Sequence, residues 1–286
     1  MALFDRLRGS DARGALVANR LTEPLHILAM SAVVAIFGTF RARVAFDLIF
    51  PPAYAYCILQ TAELARALGL ARVTIVEFGV ANGAGLLAMC RIARSVTAAT
   101  GVEFDIVGFD REGGMPPPVD YRDHPELWQA GDFVADHDRL RAKLPPNARL
   151  VVGDLAVTVP AFAQQLSAEA PLGFASLDVD YYSSASQALS IFEGRPEHYL
   201  PWTCLYADDI VYPSNNRWCG ELLAIEEFNA SHVARKIDQW RFLPAFRRIK
   251  NARWLGQVYF VHVLDHPRRQ PGADRIGDSF FQHLYA

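Results

Sequence analysis

The spacing of apolar positions along the chain changes near residue 72. In the segment 51–69 two prolines are followed by apolar side chains at helical spacing, for example Ile58, Leu59 and Ala62. Beyond this segment, short β-branched runs alternate with helix-like stretches. The alternation predicts an α/β fold, in which a doubly wound, mostly parallel sheet carries helices on both faces and follows an N-terminal helical extension.

The predicted chain therefore has two parts. We expect residues 1–70 to form the helical extension, as a lid or an oligomer contact, and residues 71–286 to form the sheet domain. The most apolar stretch, residues 25–40, covers about 16 residues, fewer than the roughly 20 that a membrane-spanning helix needs. We expect a buried helix there, at a subunit contact or over an active site, and hence no membrane span and a homo-oligomer such as a dimer.

An acidic residue stands at the end of each predicted parallel strand, and a late β run follows at residues 257–263. Ligands of a parallel sheet bind beyond the carboxyl ends of its strands. Charges on a solvated face would not be phased to strand ends, so this edge is predicted to be a site. The strands and their acids are 73–76 with Glu77, 104–109 with Asp110, 149–152 with Asp154, 173–177 with Asp178, and 203–207 with Asp208.

The segment 77–85, EFGVANGAG, follows the first predicted strand. Its glycines allow a tight turn and a close approach of the backbone to a ligand. Glu77 precedes them, and its carboxylate can fix an amino group through a charge-assisted hydrogen bond but would repel a pyrophosphate. The motif thus favours the methionine part of S-adenosylmethionine over a dinucleotide, and the alternative is a plain turn between a strand and a helix.

Two further acids are candidates for contacts with the same ligand. Asp110 is placed to bind ribose hydroxyls, in an NAD protein or in an S-adenosylmethionine protein alike. Asp154 is placed to reach an adenine amino group. It can equally be the N-cap of a helix that begins near Ala156.

The segments LDVDYYSS and ADD place Asp178, Asp180, Asp208 and Asp209 at the ends of neighbouring strands. Carboxylates at adjacent strand ends repel one another unless a cation neutralises them. Hard oxygen ligands suit Mg²⁺, Mn²⁺ or Ca²⁺ and not zinc. The alternative is a metal-free arrangement in which Asp208 caps a turn and Asp180 bonds to backbone amides.

The segments EFGVANGAG, GFDREGGMPPP, VVGDLAVTVP, LDVDYYSS, ADDI and GELLAIEEF together resemble class I S-adenosylmethionine-dependent methyltransferases. More narrowly, they resemble the metal-dependent macrocin O-methyltransferase family, which methylates sugar hydroxyls in antibiotic biosynthesis. The resemblance runs from about residue 72 to residue 228. Val179 departs from it, because the family usually has glycine there, and the two ends of the chain do not resemble the family.

The resemblance implies a Rossmann-like methyltransferase fold that binds S-adenosylmethionine and a divalent cation such as Mg²⁺. It implies that Asp178, Asp208 and Asp209 are the metal ligands. Independently of the resemblance, we expect Asp180 to be a reserve ligand if Asp178 points into the core. The implied cofactor-binding residues are Glu77, Gly79, Asn82, Gly83, Gly85, Asp110 and Asp154.

Methyl transfer requires that the acceptor oxygen be aligned with the sulfonium and lose its proton. A cation would lower the pKa of the acceptor hydroxyl, and a histidine could take the proton. His124 and His137 lie between the second and third predicted strands. We expect His124 to be the base, because its loop carries prolines and aromatic residues as a substrate wall would, and Asp178 to be the second catalytic residue. Each histidine is otherwise a plain surface residue.

Composition limits the kinds of binding partner and the cellular compartment that we expect for this protein. The 28 Lys+Arg and 31 Asp+Glu give a net charge of −3, which argues against a nucleic-acid-binding surface. The four cysteines contain no C-x-x-C pair, which indicates buried thiols in a reducing compartment. Since no signal-like apolar segment opens the sequence, we expect a soluble, cytoplasmic protein.

The predicted function is an S-adenosylmethionine-dependent, divalent-metal-dependent O-methyltransferase. Its acceptor would be a hydroxyl of a small metabolite, such as a sugar or another natural product. One alternative is a nicotinamide-dependent Rossmann oxidoreductase, and another is a non-catalytic interaction protein with the methyltransferase fold. Binding of S-adenosylhomocysteine or of NAD, each with and without Mg²⁺, distinguishes the three.

Overall fold

Seven strands form one sheet in the computed structural model, which describes residues 22–212 and 214–276; residues 1–21 of the predicted extension lie outside it. The strands are β1 (Arg72–Phe78), β2 (Glu103–Asp110), β3 (Ala148–Val152), β4 (Leu172–Leu177), β5 (Tyr199–Ala207), β6 (Arg235–Gln239) and β7 (Val258–Val263). Their order is β3-β2-β1-β4-β5-β7-β6. Strands β1 to β5 are parallel and β7 is antiparallel to both neighbours, which confirms the predicted fold class.

Helices connect these strands and precede the first of them. The α-helices of the described residues are α1 (Leu25–Phe37), α2 (Phe40–Ala45), α3 (Pro52–Ala67), α4 (Ala84–Thr100), α5 (His137–Arg141), α6 (Leu155–Ala163), α7 (Tyr182–Leu189), α8 (Gly220–Ser231) and α9 (Leu243–Phe246). Short 3₁₀ helices cover Tyr121–Asp123, Ser190–Glu193, Pro196–His198, Asp209–Val211, Arg253–Gln257 and Pro267–Arg269.

Both faces of the sheet are covered by helices. Helices α3 and α4 share an apolar cluster with Ile75, Ile106 and Phe174 on one face. Helices α6, α7 and α8 share a second cluster with Val76 and Phe109 on the other. Strands β1 and β4 are buried along nearly their whole length, which explains why their sequences are mostly apolar and do not alternate regularly with polar residues.

Helix α3 is part of the core of the sheet domain. Its residues 52–65 are all buried, and Ile58 packs in the same cluster as Ile75 and Phe174. The boundary predicted at residue 70 therefore falls inside one continuous core, because the sheet needs α3 to cover this face.

Helix α1 exposes apolar side chains in the single chain. Ile36 is 69% and Phe37 is 82% exposed, so the burial expected for residues 25–40 is not reached here, and burial against another copy stays a prediction. Helix α1 ends at Phe37 and a second helix begins at Phe40, where Thr39 Oγ1 accepts the backbone N–H of Ala42 (3.2 Å) and caps α2. No helix in the described ranges has both the length and the apolar character needed to cross a membrane.

Candidate functional site

A cavity of about 560 Å³ opens beyond the carboxyl ends of strands β1 to β4, and we call it the edge cavity. Turns after each of these strands supply its lining. Asp178 lines it, and so do all the predicted cofactor-binding residues except Gly83. Those residues are Glu77, Gly79, Asn82, Gly85, Asp110 and Asp154.

The turn after β1 depends on glycine at two positions. Gly79 has a φ of +83°, and a Cβ there would collide with the carbonyl oxygen of Asp178. A Cβ on Gly85 would collide with Oε1 of Glu77. Gly83, the N-cap of α4, also has a positive φ. The glycines thus let three chain segments meet closely at the base of the edge cavity.

Glu77 presents a buried carboxylate to the edge cavity. Tyr54 Oη donates to Oε1 of Glu77 (2.6 Å), whereas Oε2 is buried with no hydrogen-bond partner among the described residues. Burial raises the pKa of Glu77 to about 8; the Tyr54 bond opposes this rise, and the charges of Asp110 and Asp208 add to it. A cationic ligand that donates to Oε2 would satisfy this oxygen and favour the ionised carboxylate.

Tyr54 was not anticipated from the sequence. Its hydroxyl oxygen also lies 2.8 Å from Oγ of Ser176, so α3, β1 and β4 meet at one phenol. Burial, followed by the charge of Glu77, raises the pKa of Tyr54 well above its ordinary value, and the phenol therefore stays a donor. An apolar helical segment carries no signal that separates a packing tyrosine from one that meets an acid.

Asp110 at the end of β2 meets several polar groups. Its Oδ1 accepts the backbone N–H of Arg111 (2.7 Å), and Nε2 of His137 lies 3.2 Å from its Oδ2. Burial raises the pKa of Asp110 and these contacts oppose the rise. His137, a candidate base, is thus engaged at the predicted ribose position and is not among the residues that line the edge cavity.

Asp154 caps helix α6, as the alternative prediction stated. Its Oδ1 accepts the backbone N–H of Ala156 (3.0 Å), and its Oδ2 accepts from Nη1 of Arg111 (3.2 Å). Asp154 and Arg111 also line the edge cavity. Capping therefore does not withdraw this carboxylate from a ligand in the cavity.

Three aspartates meet where β4 and β5 end. These strands pair in parallel with Leu177 opposite Ala207, so the residues that follow them are neighbours. Oxygen atoms from the carboxylates of Asp178, Asp208 and Asp209 all lie within 4.8 Å of one another. The structure thus brings together the three residues expected to hold a metal.

Two more acids surround this cluster. The backbone N–H of Asp180 donates to Oδ2 of Asp209 (3.1 Å). Glu221, at the start of α8, is fully buried, and its Oε2 has no hydrogen-bond partner in the described part of the chain. Burial first, and then the neighbouring carboxylates, raise the pKa of both Asp209 and Glu221 well above ordinary values. The sequence offered no assignment for Glu221 in this cluster.

The chemistry of this cluster fits a hard divalent cation. Three carboxylates supply oxygen ligands only, and their mutual repulsion calls for positive charge between them. The proposed metal-free role of Asp208 does not match its contacts, because its side chain makes no capping bond and Oδ1 instead accepts from Tyr206 Oη (2.8 Å).

His124 does not line the edge cavity. Its ring is buried, with Nδ1 3.3 Å from Oε1 of Glu126 and with Nε2 lacking a partner among the described residues. The preceding Asp123 accepts from the backbone N–H (2.8 Å) and the hydroxyl (2.9 Å) of Ser183, which ties the loop to α7. The turn at His124 therefore anchors the loop, and the geometry lends no support to a catalytic contact.

The outer wall of the edge cavity is apolar. Met115, Pro116 and Val119 come from the segment after β2, and Phe50 and Phe133 complete the wall. Only the proline-bearing segment was expected from the sequence, because Phe50 reaches the cavity through the position of α3. An apolar wall that faces carboxylates suits an acceptor with both polar and apolar parts.

Comparisons with known proteins identify no family. No protein-family model and no curated protein matches the chain. Among solved structures, CalS11, a TDP-rhamnose 3'-O-methyltransferase of calicheamicin biosynthesis, is 16% identical with a TM-score of 0.39, over 72% of this chain and 78% of that one. Cofactor-bound Rv0187 from MTB is 11% identical with a TM-score of 0.41, over 88% and 96%.

A third solved structure is MycE, a methyltransferase of the mycinamycin pathway in complex with Mg and SAH. It is 13% identical with a TM-score of 0.35, over 74% of this chain and 50% of that one. These likenesses are too distant to assign an activity to the chain.

Proposed function

We propose that this chain is an S-adenosylmethionine-dependent O-methyltransferase that acts on a hydroxyl of a small metabolite and uses a divalent cation. The observation that carries the proposal is the position of Asp178, which both lines the edge cavity and belongs to the three-carboxylate cluster. The carboxylate of Glu77, whose Oε2 has no hydrogen-bond partner among the described residues, lines the same cavity. The edge cavity thus offers one carboxylate for the ammonium group of the cofactor and, through Asp178, borders the carboxylate cluster that would bind a metal ion.

Different residues of the edge cavity would bind different parts of S-adenosylmethionine. Oε2 of Glu77 would accept from the ammonium group, and Asp110 would accept from the ribose hydroxyls. Asp154 and Arg111 would contact the adenine. When bound, S-adenosylmethionine supplies an electrophilic methyl group. A nicotinamide dinucleotide fits less well, because Glu77 would face its pyrophosphate.

The cluster of Asp178, Asp208 and Asp209 would hold the cation. A divalent cation bound there would lower the pKa of an acceptor hydroxyl. Asp178 is the cluster member that lines the edge cavity, so it would orient the hydroxyl, and its carboxylate oxygen that the cation leaves free would accept the proton. His124 does not line the edge cavity, and we therefore assign no proton transfer to it.

Calorimetric titration tests this proposal. S-adenosylhomocysteine should bind with or without Mg²⁺, and NAD should not bind. Methyl transfer to a panel of hydroxylated acceptors should stop in EDTA and return with Mg²⁺. Binding of NAD in place of S-adenosylhomocysteine would favour the oxidoreductase, and binding of neither would favour a non-catalytic protein.

A further inference from the structure

A second cavity, of about 320 Å³, lies between helix α3 and the strands β5, β7 and β6. We call it the sheet-face cavity, and no residue lines both it and the edge cavity. Its floor consists of cross-strand pairs, in which Trp202 lies opposite His262 and Cys204 lies opposite Phe260. It therefore occupies the face of the sheet, away from the carboxyl ends of the parallel strands.

Aromatic rings supply much of the surface of the sheet-face cavity. Trp202, Trp240 and Phe260 line it, and the ring centroids of Trp240 and Phe260 are 5.3 Å apart. Leu64 adds an aliphatic side chain from α3. Flat aromatic walls favour a flat apolar ligand, because offset and edge-to-face ring contacts add to the gain from burial.

Gln60 brings an unsatisfied acceptor to this cavity. It lines the cavity from α3 and is 7% exposed, and its Oε1 is buried with no hydrogen-bond partner among the described residues. The adjacent Thr61 is satisfied, since its hydroxyl donates to the carbonyl oxygen of Gly173 (2.9 Å). A buried acceptor without a donor is costly, so a ligand N–H or O–H that reaches Gln60 Oε1 would recover that cost.

Charges beside the sheet-face cavity are balanced. Asp238 contributes a carboxylate to the lining, and the guanidinium of Arg269 lies 5.7 Å from the ring centroid of Trp202. Nη2 of Arg269 also donates to Nδ1 of His262 (3.2 Å). Nδ1 must therefore carry no proton in this arrangement. Because the carboxylate of Asp238 and the guanidinium of Arg269 carry opposite charges beside the cavity, charge favours neither an anionic nor a cationic ligand.

We propose that the sheet-face cavity binds a small, neutral, planar aromatic molecule that carries one N–H or O–H donor. Its ring packs against Trp202, Trp240 and Phe260, and its donor meets Oε1 of Gln60. The competing occupant is a second copy of this chain, and the buried acceptor on Gln60, which a single ligand donor can satisfy, favours a small molecule. The inference does not depend on the proposed function.

Indole and benzofuran are matched probes for this cavity, because they share size and shape but only indole carries an N–H donor. Calorimetric titration of the full chain should show indole binding about five- to tenfold more tightly than benzofuran, the value of roughly one hydrogen bond. Equal affinities would overturn the proposal, as would no binding of either probe.

Two variants connect the probes to the cavity. Gln60→Met keeps the length of the side chain and removes the amide, so indole should bind no better than benzofuran, whose affinity should change by less than about twofold because the apolar contacts remain. Cys204→Phe fills the floor and should abolish binding of both probes. Thermal melting verifies that each variant is folded, and an unchanged preference for indole in Gln60→Met would overturn the assignment of the donor.

Two further measurements identify the occupant. Saturating S-adenosylhomocysteine should leave indole binding unchanged, whereas competition would place the probe in the edge cavity and overturn the proposal. Sedimentation at several protein concentrations tests the second copy. Indole binding that weakens as copies associate would show that another chain covers this face, and would also overturn the proposal.

Discussion

Glu77 holds its unpartnered oxygen in the lining of the edge cavity, where the proposed cofactor brings an ammonium group. Glu77→Gln keeps the shape of the side chain and removes its charge. We expect calorimetry to show S-adenosylhomocysteine binding weakened by about 1.5–3 kcal/mol, the value of hydrogen bonds to a charged group. Tyr54→Phe is the matched control, because it leaves the carboxylate in place and should retain most of the affinity. Unchanged affinity in Glu77→Gln would refute the assigned contact.

The raised pKa of Glu77, about 8 against an ordinary 4.5, makes the stability of the ligand-free chain depend on pH. Between these values the unfolded carboxyl is ionised while the folded one keeps its proton. The free energy of unfolding therefore falls as pH rises through this window, by up to about 1.4 kcal/mol per pH unit for this group, and levels off above it.

Denaturant unfolding of wild type and Glu77→Gln at about pH 5 and about pH 8 checks this dependence. The variant cannot ionise at this position, so its stability relative to wild type should increase between the two pH values. A difference that stays constant would contradict the assigned pKa.

Asp209 is buried near other carboxylates. Its replacement should therefore raise the stability of the metal-free protein and remove the stabilisation by a metal ion. In EDTA we expect Asp209→Asn to melt at a higher temperature than wild type, because the amide, unlike the buried carboxyl with its raised pKa, neither takes up a proton nor carries a charge on folding. Mg²⁺ should raise the melting temperature of wild type and not that of the variant. S-adenosylhomocysteine affinity should be unchanged, which calorimetry checks. An equal response of both proteins to Mg²⁺ would exclude Asp209 as a ligand.

Most of the candidate site could be predicted at the residue scale because strand ends are local features of the sequence. Asp178 and Asp208 follow apolar runs directly, and parallel pairing brings them together. The position of His124 could not be predicted, because it depends on the contact between Asp123 and Ser183, which are distant in sequence. Tyr54 was hidden for the same reason, since its partner Glu77 belongs to another element.

At the scale of elements, helix α1 offers the surface on which the predicted self-association depends. Val33 is 58% and Ile36 is 69% exposed, so the double variant Val33→Lys with Ile36→Lys should change the free energy of unfolding by less than about 0.5 kcal/mol. We expect sedimentation to show that the variant is a monomer at concentrations where wild type is a dimer.

Val233→Lys is the control for this pair of substitutions. Val233 is 90% exposed and lies outside α1, so its replacement should leave the oligomeric state unchanged. A wild type that is already monomeric, or a double variant that remains a dimer, would remove α1 from the contact.

Strands were predictable where burial made their sequences mostly apolar, whereas β6 was not predicted. Its sequence, RKIDQ, has one strongly apolar residue, Ile237, because the strand lies at the margin of the sheet and only part of it is covered. Helix α3 was predicted from its spacing and prolines. Its deep burial was not, because the sequence does not show that the sheet face would otherwise lack a cover.

On the scale of the whole molecule, α3 and the sheet share one core, so the described residues should unfold together. Differential scanning calorimetry should show a single transition whose calorimetric and van't Hoff enthalpies agree. A separate, earlier transition for the segment before β1 would show instead that the predicted extension is an independent unit.

The strand order explains why the edge cavity lies at the centre of the sheet. From β1 the chain continues to β2 and β3 on one side, and from β4 it continues to β5 on the other. The connections leave in opposite directions between β1 and β4, which opens a crevice at the carboxyl ends of these two strands. Glu77, the penultimate residue of β1, and Asp178, which directly follows β4, therefore line the same cavity.

The two outer strands of the described sheet are each five residues long and charged, with Arg149 in β3 and with Lys236 and Asp238 in β6. An outer strand presents backbone groups to which a foreign strand can add, and a short, charged one resists this because its side chains would lose water. At high protein concentration, copies of the chain should therefore associate through α1 and form small oligomers. Growth into fibrils, with one sheet continuing from molecule to molecule, is disfavoured.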